Sequence, residues 1–229
     1  MNFSPESRLR LGTAIFAGLL GLAGVWILSV EIIRPTLPFF PSDAAAAEAA
    51  AAHRSAAGVA ASIGLVRGDL WADYAMTLAP EASVQFGGAV SSTAPEAFDN
   101  ARAAAIASAE LAPHDSRVWL LLAGLDARRN GLTRNVAGPL KMSYYTGPNE
   151  LALIPSRLGI ATRSTALIDP ELQILVAGEI RTIVTRRPEL KPLIIAAYRS
   201  ATPDGKNFVQ STLAGLDPAL LTALRAVPR

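Results

Sequence analysis

The sequence predicts an almost wholly α-helical protein whose first helix is apolar and long enough to cross a membrane. Three observations carry this. The apolar share is 51%, yet aromatics are only 6% and alanine is abundant, a composition in which small side chains let helices approach closely and the best helix former dominates. Valine and threonine are sparse outside short stretches, so strands gain little support. From Leu11 to Val30 there are 20 residues without a charge, bounded by Arg10 and Glu31. As a helix these span about 30 Å, the hydrocarbon thickness of a bilayer.

Residues 1–10 are therefore placed in the cytoplasm and residues 11–33 in the membrane. Arg8 and Arg10 precede the apolar run, and beyond it only Arg34 comes before Arg54. This Lys/Arg bias keeps the N-terminus inside a bacterial-type cytoplasmic (inner) membrane and exports the rest to its periplasmic side. A cleaved signal peptide would have a shorter apolar region with a small-x-small site close behind; here the first alanine pair follows Asp43. Ala14 with Gly18 and Ala17 with Gly21 are small-xxx-small pairs, the spacing that permits close packing of membrane helices and is also common in such helices without that role. Residues 34–42 are proline-rich and read as a stiff spacer, with Phe39 and Phe40 at the membrane surface.

Residues 43–229 form the exported domain. Ser42 or Asp43 caps a helix running through the alanine tract to about Ile63. The stretch Glu81–Ala94 is Gly/Ser-rich and reads as a loop. A helix is expected over Arg134–Tyr145, ended by a left-handed Gly147, with Asn149 capping the next. Further helices start at Asp169-Pro170-Glu171, near Arg187-Pro188-Glu189 and at Asp217-Pro218, where proline suits the first turn. Leu172, Leu175, Val176, Ile180 and Ile183 make one apolar face.

Two segments share a pattern. Trp71-Ala-Asp-Tyr74-Ala75 and Trp119-Leu-Leu-Leu122-Ala123 both read Trp-x-x-large-small, and Ala101, Ala105 and Ala109 precede Pro113 at helical spacing. Over about residues 65–150 this resembles the tetratricopeptide repeat, with 48 residues between the tryptophans where the standard period is shorter, Ala105 in place of the usual phenylalanine and Asp126 where an aromatic is expected. The resemblance implies antiparallel helix pairs with a helical C-terminal cap, and protein binding through a concave face lined by the first helices. That face would include Asp69, Ala72, Met76, Arg117, Leu120, Gly124 and Arg128. It implies a scaffold in an envelope assembly, such as cell-surface polysaccharide machinery. The alternative is an accessory subunit of an integral-membrane complex, an energy-transducing one for example, held mainly by its membrane helix.

Charge and chemistry narrow the classes. There is no cysteine, so no disulfide, thiolate metal site or cysteine nucleophile is possible. His53 and His114 are far apart; His114 precedes Asp115, but no nucleophile motif accompanies them, and Asp115 reads as the cap of the Trp119 helix. Asp69 and Asp73 share a helix face near a helix start, where acids meet the dipole favourably. Residues 43–126 carry ten acids and four arginines, while residues 128–229 carry fourteen Lys/Arg and seven acids. Arg128, Arg129, Arg134 and Lys141 form the densest basic cluster, with Arg157 and Arg163 beyond; it reads either as solvated charge or as a contact for lipid headgroups, acidic polysaccharide or an acidic protein face. No phosphate loop, dinucleotide fingerprint, zinc-protease helix or lipase elbow is present. The expectation is a non-enzyme without cofactor or metal, partnered by the membrane and by protein, with neither nucleic acid nor a small-molecule substrate.

Overall fold

A computed structural model describes residues 5–37, 39–40, 44–79 and 95–225. Among these, all regular structure is helical, and one helix is long and apolar enough to cross a membrane. The loop expected at Glu81–Ala94 lies outside the described residues.

α1 (Pro5–Ile33) is a single helix of 29 residues, with its apolar side chains exposed along most of its length. The alanine tract does not form one helix. α2 (Ala44–Ala51) and α3 (Arg54–Ile63) are separated by a turn at Ala52–His53, so exposed His53 sits at the start of α3 rather than within a helix. Ala47 and Ala50 of α2 are buried, and α2 and α3 both pack on α4 (Gly68–Leu78).

α4 pairs with α5 (Pro95–Leu111), and α6 (Ser116–Asn130) pairs with α7 (Ala137–Thr146), which a 3-10 turn over Arg134–Val136 precedes. Alanine makes the first pairing close: Ala72 and Ala75 of α4 and Ala101, Ala104 and Ala105 of α5 are all buried in one core. α6 contributes Leu120, Leu121, Leu122 and Leu125, each worth about 1.5–3 kcal/mol on full burial.

The two pairs repeat their contacts. Trp71 donates its indole N–H to the carbonyl of Leu65, and Trp119 donates to that of Pro113, six residues back in both cases. Near the end of α5 the Ser108 hydroxyl donates to the carbonyl of Gly68, the first residue of α4; near the end of α7 the Ser143 hydroxyl donates to that of Ser116, the first residue of α6. At each crossing one partner lacks a side chain. A Cβ on Gly68 would stand 2.6 Å from that of Ala112, and a Cβ on Gly147 would stand 2.4 Å from the Ser116 hydroxyl. Close approach therefore explains Gly147. Its φ of −150° is not left-handed, and Glu150, not Asn149, precedes the next helical turn.

α8 (Ile154–Arg163) follows and packs on α10 (Lys191–Ser200). α9 (Pro170–Arg186) starts where expected: Asp169 accepts hydrogen bonds from the backbone N–H groups of Glu171 and Leu172. Its residues Leu172, Val176, Ile180 and Ile183 are buried and Leu175 packs at their edge. α11 (Pro203–Ala214), which the sequence reading passes over, is capped by Thr202. α12 (Pro218–Arg225) starts at Asp217, which accepts from the Leu220 N–H.

Candidate functional site

Two places concentrate polar side chains against the core. The first is the junction between α1 and the domain. Val30 is buried, with Ile33 packed beside it, against Ala60, Ala61 and Leu70, and the Trp26 indole donates 3.0 Å to the carbonyl of Ile63. Just past the helix, Arg34 reaches α4, with its guanidinium 2.9 Å from Asp69 and 2.7 Å from Asp73. Arg67, preceding α4, bridges Glu31 on α1 and Asp69. Arg117 pairs with Asp115 at 2.7 Å and approaches Asp73 at 3.5 Å. The helix starts are thus charge-swapped copies: Arg67 with Asp69 across the first residue of α4, Asp115 with Arg117 across the first residue of α6.

Burial pushes the Asp73 carboxyl up, opposed by Arg34 and Arg117, so its charge depends on those two cations. Burial also acts to raise Asp69, but the hydrogen bond and charge of Arg67 and the charge of Arg34 outweigh it and hold that carboxyl below its ordinary range. Arg117 is half-buried, which acts to lower it, but Asp115 and Asp73 outweigh this and raise it.

This arrangement corrects the expected concave face. Ala72, Met76, Leu120 and Gly124 are buried in the core, because α4 and α6 are covered on more than one side. Asp69 and Arg117 are ion-paired within the chain, and Phe39 of the spacer packs 5.2 Å from the Arg117 guanidinium. Phe40 is buried in the domain core, which withdraws it from the membrane surface the sequence suggests, whereas Phe39 is exposed. Asp115 caps α6, accepting from the Arg117 N–H, and His114 beside it is exposed.

The expected basic cluster is divided. Arg128 and Arg129 lie in the last turn of α6, where Arg129 pairs with Asp99 at 3.7 Å. Arg134 and Lys141 line one hollow with Asp169 and Glu171, and Lys141 binds both acids, at 2.9 and 2.6 Å. Arg157 is fully buried, contrary to a solvated reading.

That arginine belongs to the second place, a cleft of about 490 Å³ between α9 and the α7–α8 connection, a size typical of ligand pockets. Its walls include Leu151, Ile174, Leu175 and Leu190, with Arg186 and Arg187 also lining it. Glu179 is buried at its lining, accepting 2.8 Å from the Tyr144 hydroxyl through Oε2. Its Oε1 has no hydrogen-bond partner among the described residues and lies 3.9 Å from Arg157. Burial pushes Glu179 up to about 7, against the Tyr144 hydrogen bond and the Arg157 charge; burial also pushes Tyr144 well above its ordinary range. Arg157 is held by Ser143 and by the Gly147 carbonyl at 2.9 Å, over the Tyr144 ring at 4.8 Å. The same glycine and serine that seat α7 on α6 therefore seat this arginine. Glu179, directly before Ile180 of the apolar α9 face, was the one sequence signal for the cleft; its partners come from separate elements.

In chemical terms the cleft offers an apolar wall, one hydrogen-bonding carboxyl poised near neutrality and two arginines. Among the described residues no group of three or more His, Asp or Glu could hold a metal ion. The α1 stripe Ala14, Ala17, Gly18 and Gly21 is exposed, and a Cβ built on Gly18 or Gly21 meets nothing within 4 Å. Comparison with protein-family models, curated proteins and solved structures finds no match to this chain.

Proposed function

We propose that this protein is a membrane-anchored, non-enzymatic scaffold of tetratricopeptide-like helix pairs, exported from the cytoplasm, that receives a protein partner in an envelope assembly. The observation that carries this reading is the repeated register of α4–α5 and α6–α7, with the same tryptophan and serine bonds at matching positions. Stacked helix pairs of this kind bind partners through their surfaces rather than through reacting groups. The surface assigned to the partner is the Glu179 cleft, since Asp69 and Arg117 are already ion-paired within the chain. An apolar side chain would fill the wall lined by Ile174 and Leu175, and an acidic group would meet Arg186 and Arg187.

The test is recovery from mild detergent with partners identified by mass. Full-length protein should retain a partner that the double variant Arg186→Glu/Arg187→Glu loses by at least about tenfold, the worth of about 1.4 kcal/mol. An unchanged partner in that variant would remove the cleft from the reading. A reporter active only outside the cytoplasm, fused after Arg229, should be active; activity of a cytoplasmic reporter alone would reverse the topology.

A second reading is favoured by the open α1 stripe: an accessory subunit held by helix packing in the bilayer. Gly18→Leu or Gly21→Leu would then release the partner while the cleft variant would not.

A further inference from the structure

The connection between α3 and α4 is placed where a bilayer would meet it. The Trp26 indole on α1 donates to the carbonyl of Ile63, so the end of α3 lies level with Trp26. Glu31, which ends the uncharged run of α1, lies five residues further along the helix and holds Arg67, where the connection re-enters α4. At 1.5 Å per residue Trp26 is about 7.5 Å deeper along α1 than Glu31. Residues 63–66 thus form a loop on the apolar side of the Glu31–Arg67 pair.

The loop's chemistry matches that position. No charged residue occurs from Ser55 to Val66. Leu65 and Val66 are 67% and 69% exposed, and Val59 on α3 is exposed as well. Exposure alone decides nothing, since Ile174 is 73% exposed on α9. The backbone is more telling. The carbonyls of Ile63, Gly64 and Leu65 accept, in turn, from the Trp26 indole, the Arg67 N–H and the Trp71 indole. In water such carbonyls need no protein partner, whereas in lipid an unsatisfied one is costly. Two of the three donors are indoles, which favour the membrane interface. Leu65 also adopts φ 28°, a region that glycine or asparagine enters at lower cost, yet the position carries a large apolar side chain.

The geometry points to a second membrane contact: the Ile63–Val66 turn enters the interface of the bilayer that α1 crosses, burying Leu65 and Val66 among the lipids. This rests on α1 being a membrane span. The contact would fix the domain's orientation, because a single helix leaves rotation and tilt free while two points of insertion with the Arg34 and Arg67 bridges do not.

The chain has no cysteine, so single substitutions carry a spin label alone. Full-length Leu65→Cys, Val66→Cys, Leu19→Cys and Ile174→Cys variants, labelled and reconstituted in phosphatidylcholine–phosphatidylglycerol vesicles, report collision with oxygen, which concentrates in lipid, and with a water-soluble nickel chelate. All four side chains are exposed, so the fold tolerates the labels. The oxygen-to-nickel accessibility ratio at positions 65 and 66 should exceed that at 174 several-fold and approach that at 19. Ratios at 65 and 66 equal to that at 174, with position 19 in lipid, overturn the proposal and leave the anchor intact. A water-exposed position 19 overturns both.

Discussion

Arg34, the first residue past the apolar helix, holds the Asp73 carboxylate at 2.7 Å, and Asp73 is almost buried. Truncation to alanine leaves that carboxylate with Arg117 alone at 3.5 Å. Arg34→Ala should destabilise the domain by about 2–3 kcal/mol, the scale of a nearly buried pair that loses one partner. Arg34→Lys should recover part of the loss, since it restores the charge without the two-pronged geometry. Denaturant melts of the full-length protein in detergent measure both. Equal stability of wild type and Arg34→Ala would mean that the bridge does not couple α1 and the domain.

Glu179 sets a pH dependence whose sign is unusual for a carboxylate. Its folded-state value is raised from 4.5 to about 7. Between those limits the folded protein holds a proton that the unfolded chain has released, so stability falls as pH rises through this window and levels off above it. Below pH 4.5 both states are protonated and the effect vanishes. The loss is on the order of 3 kcal/mol. Glu179→Gln should flatten the melting temperature across pH 5–8. A variant with the same slope as wild type would assign that slope to other groups.

The tryptophans offer a check on the repeated pairs. Both are half-buried rather than enclosed, so Trp119→Ala and Trp71→Ala should cost about 2–3 kcal/mol, less than a fully buried indole. Trp119→Phe keeps most of the packing and loses the 2.7 Å bond to the Pro113 carbonyl, about 1 kcal/mol. Thermal melts of the three variants should rank in that order. Wild-type stability throughout would show that the matching bonds are incidental.

The elements were legible where local chemistry decides them. Asp169-Pro170 and Asp217-Pro218 mark helix starts because the cap and the first turn are set by adjacent residues, and the α9 face shows its buried side by period alone. Thr202-Pro203-Asp204 carries the same signal for α11 and needed only the same rule. The site was less legible, because its key pairs meet from far apart in sequence: Arg34 with Asp73 across 39 residues, Tyr144 with Glu179 across 35. A resemblance to open helix pairs leaves α4 and α6 exposed on one face. In this chain the spacer folds back and places Phe39 over Arg117, and Met76 and Leu120 lie in the core. Arg157 read as surface charge because nothing adjacent in sequence hints at the ring and carbonyls that enclose it.

That backfolded segment changes where the domain can be cut. A break at the spacer's end, giving residues 42–229, removes Arg34, the buried Phe40 and the Val30 contact with Ala60, Ala61 and Leu70. A piece starting at Trp26 keeps all three. The shorter piece should melt with a stability lower by about 3–5 kcal/mol, the sum expected for one large apolar side chain withdrawn from a core and one ion pair broken at a nearly buried acid. Adding Asp73→Asn to the shorter piece should return part of the loss, because it removes the carboxylate left without Arg34. The same substitution in the longer piece should be destabilising. Gly18→Leu in the full-length protein should leave domain stability unchanged, as nothing lies within 4 Å of that position. Matching stability of the two pieces would separate α1 from the domain and leave the spacer a plain tether. The opposite sign of Asp73→Asn in the two pieces would tie both to Arg34.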